Sequence, residues 1–376
     1  MHQVPQGGAA THILAIGVGR YPHLVGGTGP RLPDHQGLGQ LTSPPISARA
    51  VADWFIANFN NPGRPLSTVR LLLSEDSPQP FMNSKTGLVI PVPSATIDTI
   101  ADAFKAWKAD GDTYPDNLMI FYFCGHGIAN GAFTALLAED FGKDTANALD
   151  GAIDFYRNRL GMNRCKAKQQ LYLIDACRTT TDMTVYAEDY AGRVFVQPQT
   201  KSAGNLRPVL YSTLFGQQAY GRVGKMSYFA EALLAALSGA GGDESQGDWR
   251  VRTSSLHLAI EANLTRKANA GIATAQISPA DDLITFDVHY MLAPPQVPVI
   301  VSCRPLAALA AANLRCLLAG ALLQERVPAN EAWEISLPVG SYDFEATFPG
   351  GQYQPGRRLG QYVYPPERNV PVEVAP

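Results

Sequence analysis

Charge is scarce in this chain. Only 17% of its 376 residues are Asp, Glu, Lys or Arg, against about 25% in an average soluble domain. The 30 basic and 33 acidic residues leave a formal net charge of −3, so there is no general positive field to hold a nucleic-acid backbone. Long apolar runs are missing too. No stretch of about 18 residues is apolar enough to cross a bilayer, and no membrane partner is expected. The opening MHQVPQGGAATH has no basic stretch followed by an apolar core, so a secretory leader is not expected. Cysteine is sparse: five, at 124, 165, 177, 303 and 316. They are odd in number and unclustered, which excludes a disulfide framework. Cys165, Cys303 and Cys316 have no metal-ligand spacing with histidines. Free thiols in a reducing cytoplasm are the expectation. Internal repeats and low-complexity tracts are absent.

What the chain does have is an alternation of apolar strands and amphipathic helices. HILAIGV (12–18) is a short continuous apolar run followed by a Gly-rich stretch, the pattern of a strand buried on both faces. STVRLLL (67–73), NLMIFYF (117–123), QLYLI (170–174) and 208–212 read the same way, with a shorter strand at 133–137. SARAVADWFIAN (47–58) reads as a helix capped by Ser47, with Ala50, Val51, Trp54 and Phe55 on its apolar face. A second helix opens at Ser94 and carries Ile97, Ile100, Ala101, Phe104 and Trp107 at helical spacing. Further helices are predicted at 152–163, 228–237 and 255–267. Such alternation specifies an α/β layered fold around a mostly parallel sheet. The composition shifts at Ala293-Pro294-Pro295. Beyond it, period-two runs such as EAWEISLP and SYDFEATF predict a small all-β sandwich module. The expected domains are residues 1–292 and 296–376.

Two strands end in reactive residues. His126 follows the third long strand inside Gly-His-Gly, and Cys177 follows the fourth inside Asp-Ala-Cys-Arg. In an open parallel sheet, ligands collect beyond the carboxyl ends of the strands, so residues far apart in sequence converge there. A lone His or Cys at a strand end is usually structural. The pair is different, because an imidazole beside a thiol makes a base and a nucleophile. The glycines around His126 would let a substrate backbone approach. The amides of Gly127 and Cys177 are candidate donors to an oxyanion. Two competing signals are weaker. Gly17-Val18-Gly19 begins a dinucleotide loop, but Pro22 stands where the third glycine belongs. Cys124 precedes the Gly-His-Gly turn and suits packing in the sheet.

FYFCGHG, followed about 50 residues later by LYLIDACR, resembles the caspase and metacaspase superfamily, in which the His precedes the Cys by about that interval. ILAIGVGRYP, SARAVADWF, YSTLFGQQAYG and SYFAEALLAAL follow in the order of bacterial caspase-like proteins. The resemblance spans roughly residues 11–290. It implies a caspase-like three-layer α/β sandwich with the C-terminal β module appended. It also implies a cysteine endopeptidase using a His126–Cys177 dyad on protein or peptide substrates, and a role in bacterial programmed death or antiviral defence.

Asp175 lies two residues before Cys177 and shares its side of the strand. Caspases carry Gln at that motif position and cut after Asp. Metacaspases carry Asp, which recognises a basic residue, so the resemblance implies cleavage after Arg or Lys, with cleavage after Asp as the alternative. One element departs from the pattern. Metacaspases have an acidic Asn-Asp pair where this chain has Ile46-Ser47, and Asp34 is the candidate substitute. Arg178 receives no role. The loop 179–207 takes the place where zymogen relatives are cut, and Arg193, Lys201 and Arg207 are its candidate self-cleavage sites. No cofactor is expected; calcium at Asp182, Glu188 and Asp189 is the alternative. The rival reading is a non-catalytic caspase-like scaffold, with the C-terminal module binding a protein partner.

Overall fold

The computed structural model describes residues 1–4, 7–130, 133–178, 192–197, 205–214, 222–245, 247–273 and 276–376. Five strands form the middle of the main sheet: β1 (Thr11–Val18), β2 (Leu66–Ser74), β3 (Leu118–Gly125), β4 (Gln169–Ala176) and β5 (Val209–Tyr211). Every residue of β1 and β3 is buried, as continuous apolar runs require when both faces are covered. The spatial order is β2-β1-β3-β4-β5, all parallel. Short antiparallel strands, His2–Gln3 and Ala280–Asp281, close the two edges. The order reverses direction between β1 and β3. The connections leaving those strands therefore diverge and open a crevice at their carboxyl ends.

Helices cover both faces. α1 (Ser43–Asn58) lies on the face shown by Gly17, where a Cβ would stand 2.9 Å from that of Ala48. α2 (Ile97–Gly111) packs on the other face, where Phe104 and Trp107 share a core with Leu14, Ile16, Phe121 and Tyr172. Trp107 is fully buried and its indole N–H donates to the His12 carbonyl at 3.0 Å. α3 (Phe155–Gly161), α4 (Tyr228–Ala235) and α5 (Thr253–Asn269) follow.

Three boundaries differ from the sequence pattern. α1 starts at Ser43, not Ser47. Pro44 and Pro45 occupy its first turn, where a missing N–H costs nothing, so Ser47 sits buried inside the helix. α2 is capped by Thr96, whose side chain accepts from the Thr99 amide, and not by Ser94. The helix predicted over 152–163 is a strand at Ala152–Asp154 followed by α3. The Asp154 carboxylate takes the Arg157 amide and fixes the start there. That strand joins Gly127–Asn130 and Phe133–Leu137 in a separate three-stranded sheet.

Contacts divide the chain into two units, Met1–Leu234 with Asn263–His289, and Ala235–Ala262 with Tyr290–Pro376. The second differs from the sequence boundary at 292/296 by including 235–262. Within it, a turn of π-helix at Ala236–Ala240 packs on the strand Gln296–Arg304. A Cβ on Gly239 would meet the Gln296 carbonyl at 2.8 Å. The C-terminal strands are β6 (Gln296–Arg304), β7 (Asn313–Leu318), β8 (Ala321–Arg326), β9 (Trp333–Pro338), β10 (Gly340–Thr347), β11 (Gly356–Val363) and β12 (Arg368–Glu373). They form two sheets, β9-β6-β12 and β8-β7-β10-β11. Alternate residues of both sheets, among them Val299, Val301, Leu314, Phe344 and Val370, share one apolar core, which makes this a β-sandwich. Among the described residues no helix is long and apolar enough to cross a membrane.

Candidate active site

Sheet register brings the two reactive residues together. Asp175 pairs with Cys124, and Ala176 with Gly125, across the parallel β3–β4 ladder. His126 and Cys177 are the next residues on each chain. Side chains alternate along a strand, so His126 shares a face with Cys124, and Cys177 with Asp175. The Cys124 Sγ is 3.2 Å from the Asp175 carboxylate, which shows that both pairs use one face, the face covered by α1. His126, Cys177 and Asp175 all line one cavity of about 550 Å³, together with residues of the β1–α1 connection. None of the five cysteines is in a disulfide, and Cys177 alone is not buried.

His126 is held through its ring and its backbone amide. Its Nε2 lies 2.7 Å from the Gly39 carbonyl. A carbonyl only accepts, so Nε2 carries the proton of the neutral ring and Nδ1 keeps its lone pair. The His126 amide donates to the Tyr21 hydroxyl at 2.8 Å, and the Tyr21 ring packs against the imidazole with centroids 4.8 Å apart. Gln40 fastens the connection that carries both Tyr21 and Gly39. Its side-chain oxygen takes the Tyr21 amide at 2.8 Å, and its NH₂ donates to the carbonyls of Tyr21 and Val25 at 2.9 and 3.1 Å. Burial pushes His126 down to about 4, opposed by the Gly39 hydrogen bond, so the ring is neutral at physiological pH.

The glycines of the Gly-His-Gly motif have a use that differs from substrate approach. A Cβ on Gly127 would stand 2.6 Å from the Cys177 carbonyl, and one on Gly125 would stand 2.9 Å from the Tyr21 hydroxyl. Their absence of side chains lets β3, β4 and Tyr21 close around His126. The Leu137 amide donates to the His126 carbonyl, so Gly127 and Leu136 form a non-hydrogen-bonded pair. The Gly127 amide therefore points out of that ladder.

Asp175 is 3% exposed at the base of the cavity. Its Oδ2 accepts from the Tyr122 hydroxyl at 3.0 Å, from the Cys124 thiol at 3.2 Å and from the Ser227 hydroxyl. Burial pushes the carboxyl up from the usual carboxylate range, and these donors hold it back. Burial first, and then the neighbouring Asp175, likewise push the Cys124 thiol well up, which makes it a hydrogen-bond donor and a poor nucleophile. Ser227 also caps α4 by accepting from the Ala230 amide, and its own amide donates to Ser47 Oγ. Position 47 therefore contributes a hydroxyl under the cavity. Asp34 is exposed, is bonded by Gln36 and does not line the cavity.

The candidate processing residues fall in different settings. Arg207 is 8% exposed, its carbonyl accepts from the Arg159 guanidinium at 2.7 Å, and Pro208 follows it. A buried tertiary amide is a poor substrate for attack, which disfavours Arg207 among the three candidates. The Arg193 backbone is paired on both sides to Ala152–Asp154, and its side chain meets Asp98 at 3.0 Å. Lys201, Asp182, Glu188 and Asp189 lie outside the described residues. Among the described residues no cluster could hold a metal ion. Arg178 stacks on the Tyr211 ring at 4.0 Å.

Sequence reasoning missed Gly39, Gln40, Tyr122 and Ser227. Gly39 acts through a carbonyl that every residue type has, and Ser227 sits 52 residues from its partner. Tyr21 was visible only as part of the RYP stretch.

The model of the Peptidase_C14 family, described as caspase domain, matches residues 83–282, more than half of the chain and including both His126 and Cys177. A Sinorhizobium fredii (strain NBRC 101917 / NGR234) protein, described as uncharacterized protein y4kE, is 27% identical over 253 residues, which are 60% of this chain and 70% of that protein. Among solved structures, protein GSU0716 from Geobacter sulfurreducens aligns over 74% of this chain and 93% of its own, at 15% identity and a TM-score of 0.43. Caspase-1 from Spodoptera frugiperda aligns over 73% and 86%, at 11% identity and a TM-score of 0.40. The family match carries the conclusion: this chain belongs to the caspase-domain peptidase family.

Proposed function

We propose that the chain is a cysteine endopeptidase whose nucleophile is Cys177 and whose base is His126. One observation carries the reading. The only cysteine that is not buried follows β4 in register with a histidine whose Nε2 is tied to a carbonyl, at a shared cavity. Nδ1 of His126 takes the thiol proton as Sγ attacks the substrate carbonyl carbon. The developing oxyanion takes hydrogen bonds from the amides of Gly127 and Cys177. The imidazolium then gives its proton to the leaving amine, and the C–N bond breaks to leave a thioester. Water, deprotonated by the same imidazole, hydrolyses the thioester and releases the acid. Burial keeps His126 neutral before the reaction and so leaves its lone pair ready.

Asp175 supports a basic P1 residue. A buried carboxylate at the cavity base is compensated by a cationic side chain and repels an acidic one. A panel of fluorogenic peptides ending in Lys, Arg or Asp tests this. Turnover of the basic peptides by wild type and none by Cys177→Ala is expected. No turnover of any of them by a protein whose Cys177 reacts with iodoacetamide would favour the scaffold reading. Self-processing is proposed within 179–207, after Arg193, Lys201 or Arg207; the backbones of Arg193 and Arg207 are hydrogen-bonded within the fold, and the bond after Lys201 is the first to test. Incubation of wild type beside Lys201→Ala and Cys177→Ala tests it. Fragments identical in all three would defeat the assignment.

A further inference from the structure

Glu139 is a buried acid that takes no part in the reaction described above. It is 7% exposed and follows the strand Phe133–Leu137, which returns from His126. Its Oε1 meets the Arg20 guanidinium at 2.6 Å, and its Oε2 accepts from the Ser74 hydroxyl at 2.8 Å. Ser74 is the last residue of β2. Its hydroxyl oxygen accepts from the Ala95 amide, and its carbonyl accepts from the amides of Gly19 and Arg20. The Glu139 amide donates to the Ala95 carbonyl at 2.9 Å. Glu139 is thereby fixed to the chain leaving β1 and to the chain leaving β2.

These links close a circuit around His126. On one side, the Leu137 amide donates to the His126 carbonyl, and Glu139 lies two residues further on. On the other, the His126 amide donates to the Tyr21 hydroxyl, and Arg20 directly precedes Tyr21. The Arg20–Glu139 ion pair joins the two sides. We infer that Glu139 is a positioning residue that acts on His126 through Arg20 and Tyr21, an inference that rests on the peptidase reading above. Arg20, Ser74 and Glu139 are not among the residues that line the cavity, so their effect falls on the chemical step and not on substrate binding. The carboxylate is buried, which sets this pair apart from a fully exposed one of little worth. Removing the cation leaves a buried charge that must find another partner by moving. A shift of Arg20 carries Tyr21 with it, and the imidazole packs on the Tyr21 ring.

Steady-state kinetics of full-length variants on one basic fluorogenic peptide test this, with circular dichroism to show that each variant is folded. Glu139→Gln keeps the size and removes the charge; Arg20→Gln breaks the pair from the other side. Each should lower kcat about five- to tenfold with KM nearly unchanged, as a displacement of less than about 1 Å would. Either variant suffices if the other fails to fold. Arg20→Lys keeps a cation for Glu139 and should retain most of the activity. Combining Glu139→Gln with Tyr21→Phe separates positioning from general loosening. Both open the same circuit, so the double variant should lose little more kcat than Tyr21→Phe alone. Losses that multiply would give Glu139 an independent structural role and overturn the inference. Wild-type kcat in a folded Glu139→Gln or Arg20→Gln variant would overturn it too, and both results leave the peptidase reading standing. A wild type that turns over no peptide, with Cys177 still reactive, would defeat the peptidase reading and this inference with it.

Discussion

Removing one oxygen atom from Tyr21 separates holding His126 in place from merely filling space beside it. Tyr21 is fully buried, and burial keeps its phenol neutral by pushing its ionisation far up. Its hydroxyl is the acceptor for the His126 amide at 2.8 Å, while its ring packs on the imidazole. Tyr21→Phe keeps the ring and deletes the acceptor. The His126 amide is then buried without a partner, which costs about 1–3 kcal/mol. With a urea m-value of about 3 kcal/mol/M, the midpoint should fall by about 0.3–1 M. The amide can recover a partner only by moving, and that movement carries the imidazole away from Cys177. A displacement of about 1 Å costs on the order of a hundredfold in rate, so kcat should fall by about ten- to a hundredfold with KM nearly unchanged. Urea titration and steady-state kinetics on one basic peptide provide both numbers. A variant with the wild-type midpoint and wild-type kcat would refute the claim that this hydroxyl positions His126.

Further outcomes follow from the same contacts. Gly127→Ala places a Cβ 2.6 Å from the Cys177 carbonyl; peptide turnover should fall at least about tenfold while the circular dichroism spectrum is retained. Trp107→Ala empties a fully buried site and removes the donor to His12, which should cost about 3–5 kcal/mol; a midpoint within error of wild type would contradict the assigned packing. His126 and His289 are both pushed down from 6.5 to about 4 by burial. The unfolded chain therefore binds protons that the folded one does not as pH falls below about 6.5, and stability should fall between that pH and about 4. Each site contributes up to about 3 kcal/mol, and His126→Ala should flatten its share of a denaturation series across that range.

The parallel sheet was legible because strands buried on both faces must be apolar throughout, and HILAIGV, NLMIFYF and QLYLI are. The C-terminal sandwich was legible where one face of a strand meets the core, as in EAWEISLP. NLRCLL and ALLQER, the strands β7 and β8, were missed. β8 is exposed along most of its length and so carries no alternation to read. Ser47 looked like a helix cap because Ser precedes an apolar period, but two prolines start the helix one turn earlier. At the site, His126, Cys177 and Asp175 announced themselves by residue type at strand ends. The parts that position them did not. A Gly39 carbonyl, a Gln40 clamp and a Ser227 hydroxyl act through the tertiary fold, and their chemistry is ordinary until the chain brings them beneath His126 and Asp175. The flanking glycines were noticed, yet their purpose is set by the neighbours a Cβ would strike.

The central claim is that Cys177 attacks a carbonyl and His126 activates it. The most direct measurement is intact-mass analysis after treatment with a peptidyl chloromethyl ketone ending in Lys, on wild type, Cys177→Ala and His126→Ala. One adduct is expected on wild type, mapped to Cys177, with parallel loss of peptide turnover. No adduct is expected on Cys177→Ala, and labelling on His126→Ala should be slowed by at least about a hundredfold. Labelling of Cys177→Ala accompanied by loss of peptide turnover, or wild-type turnover by His126→Ala, would contradict it.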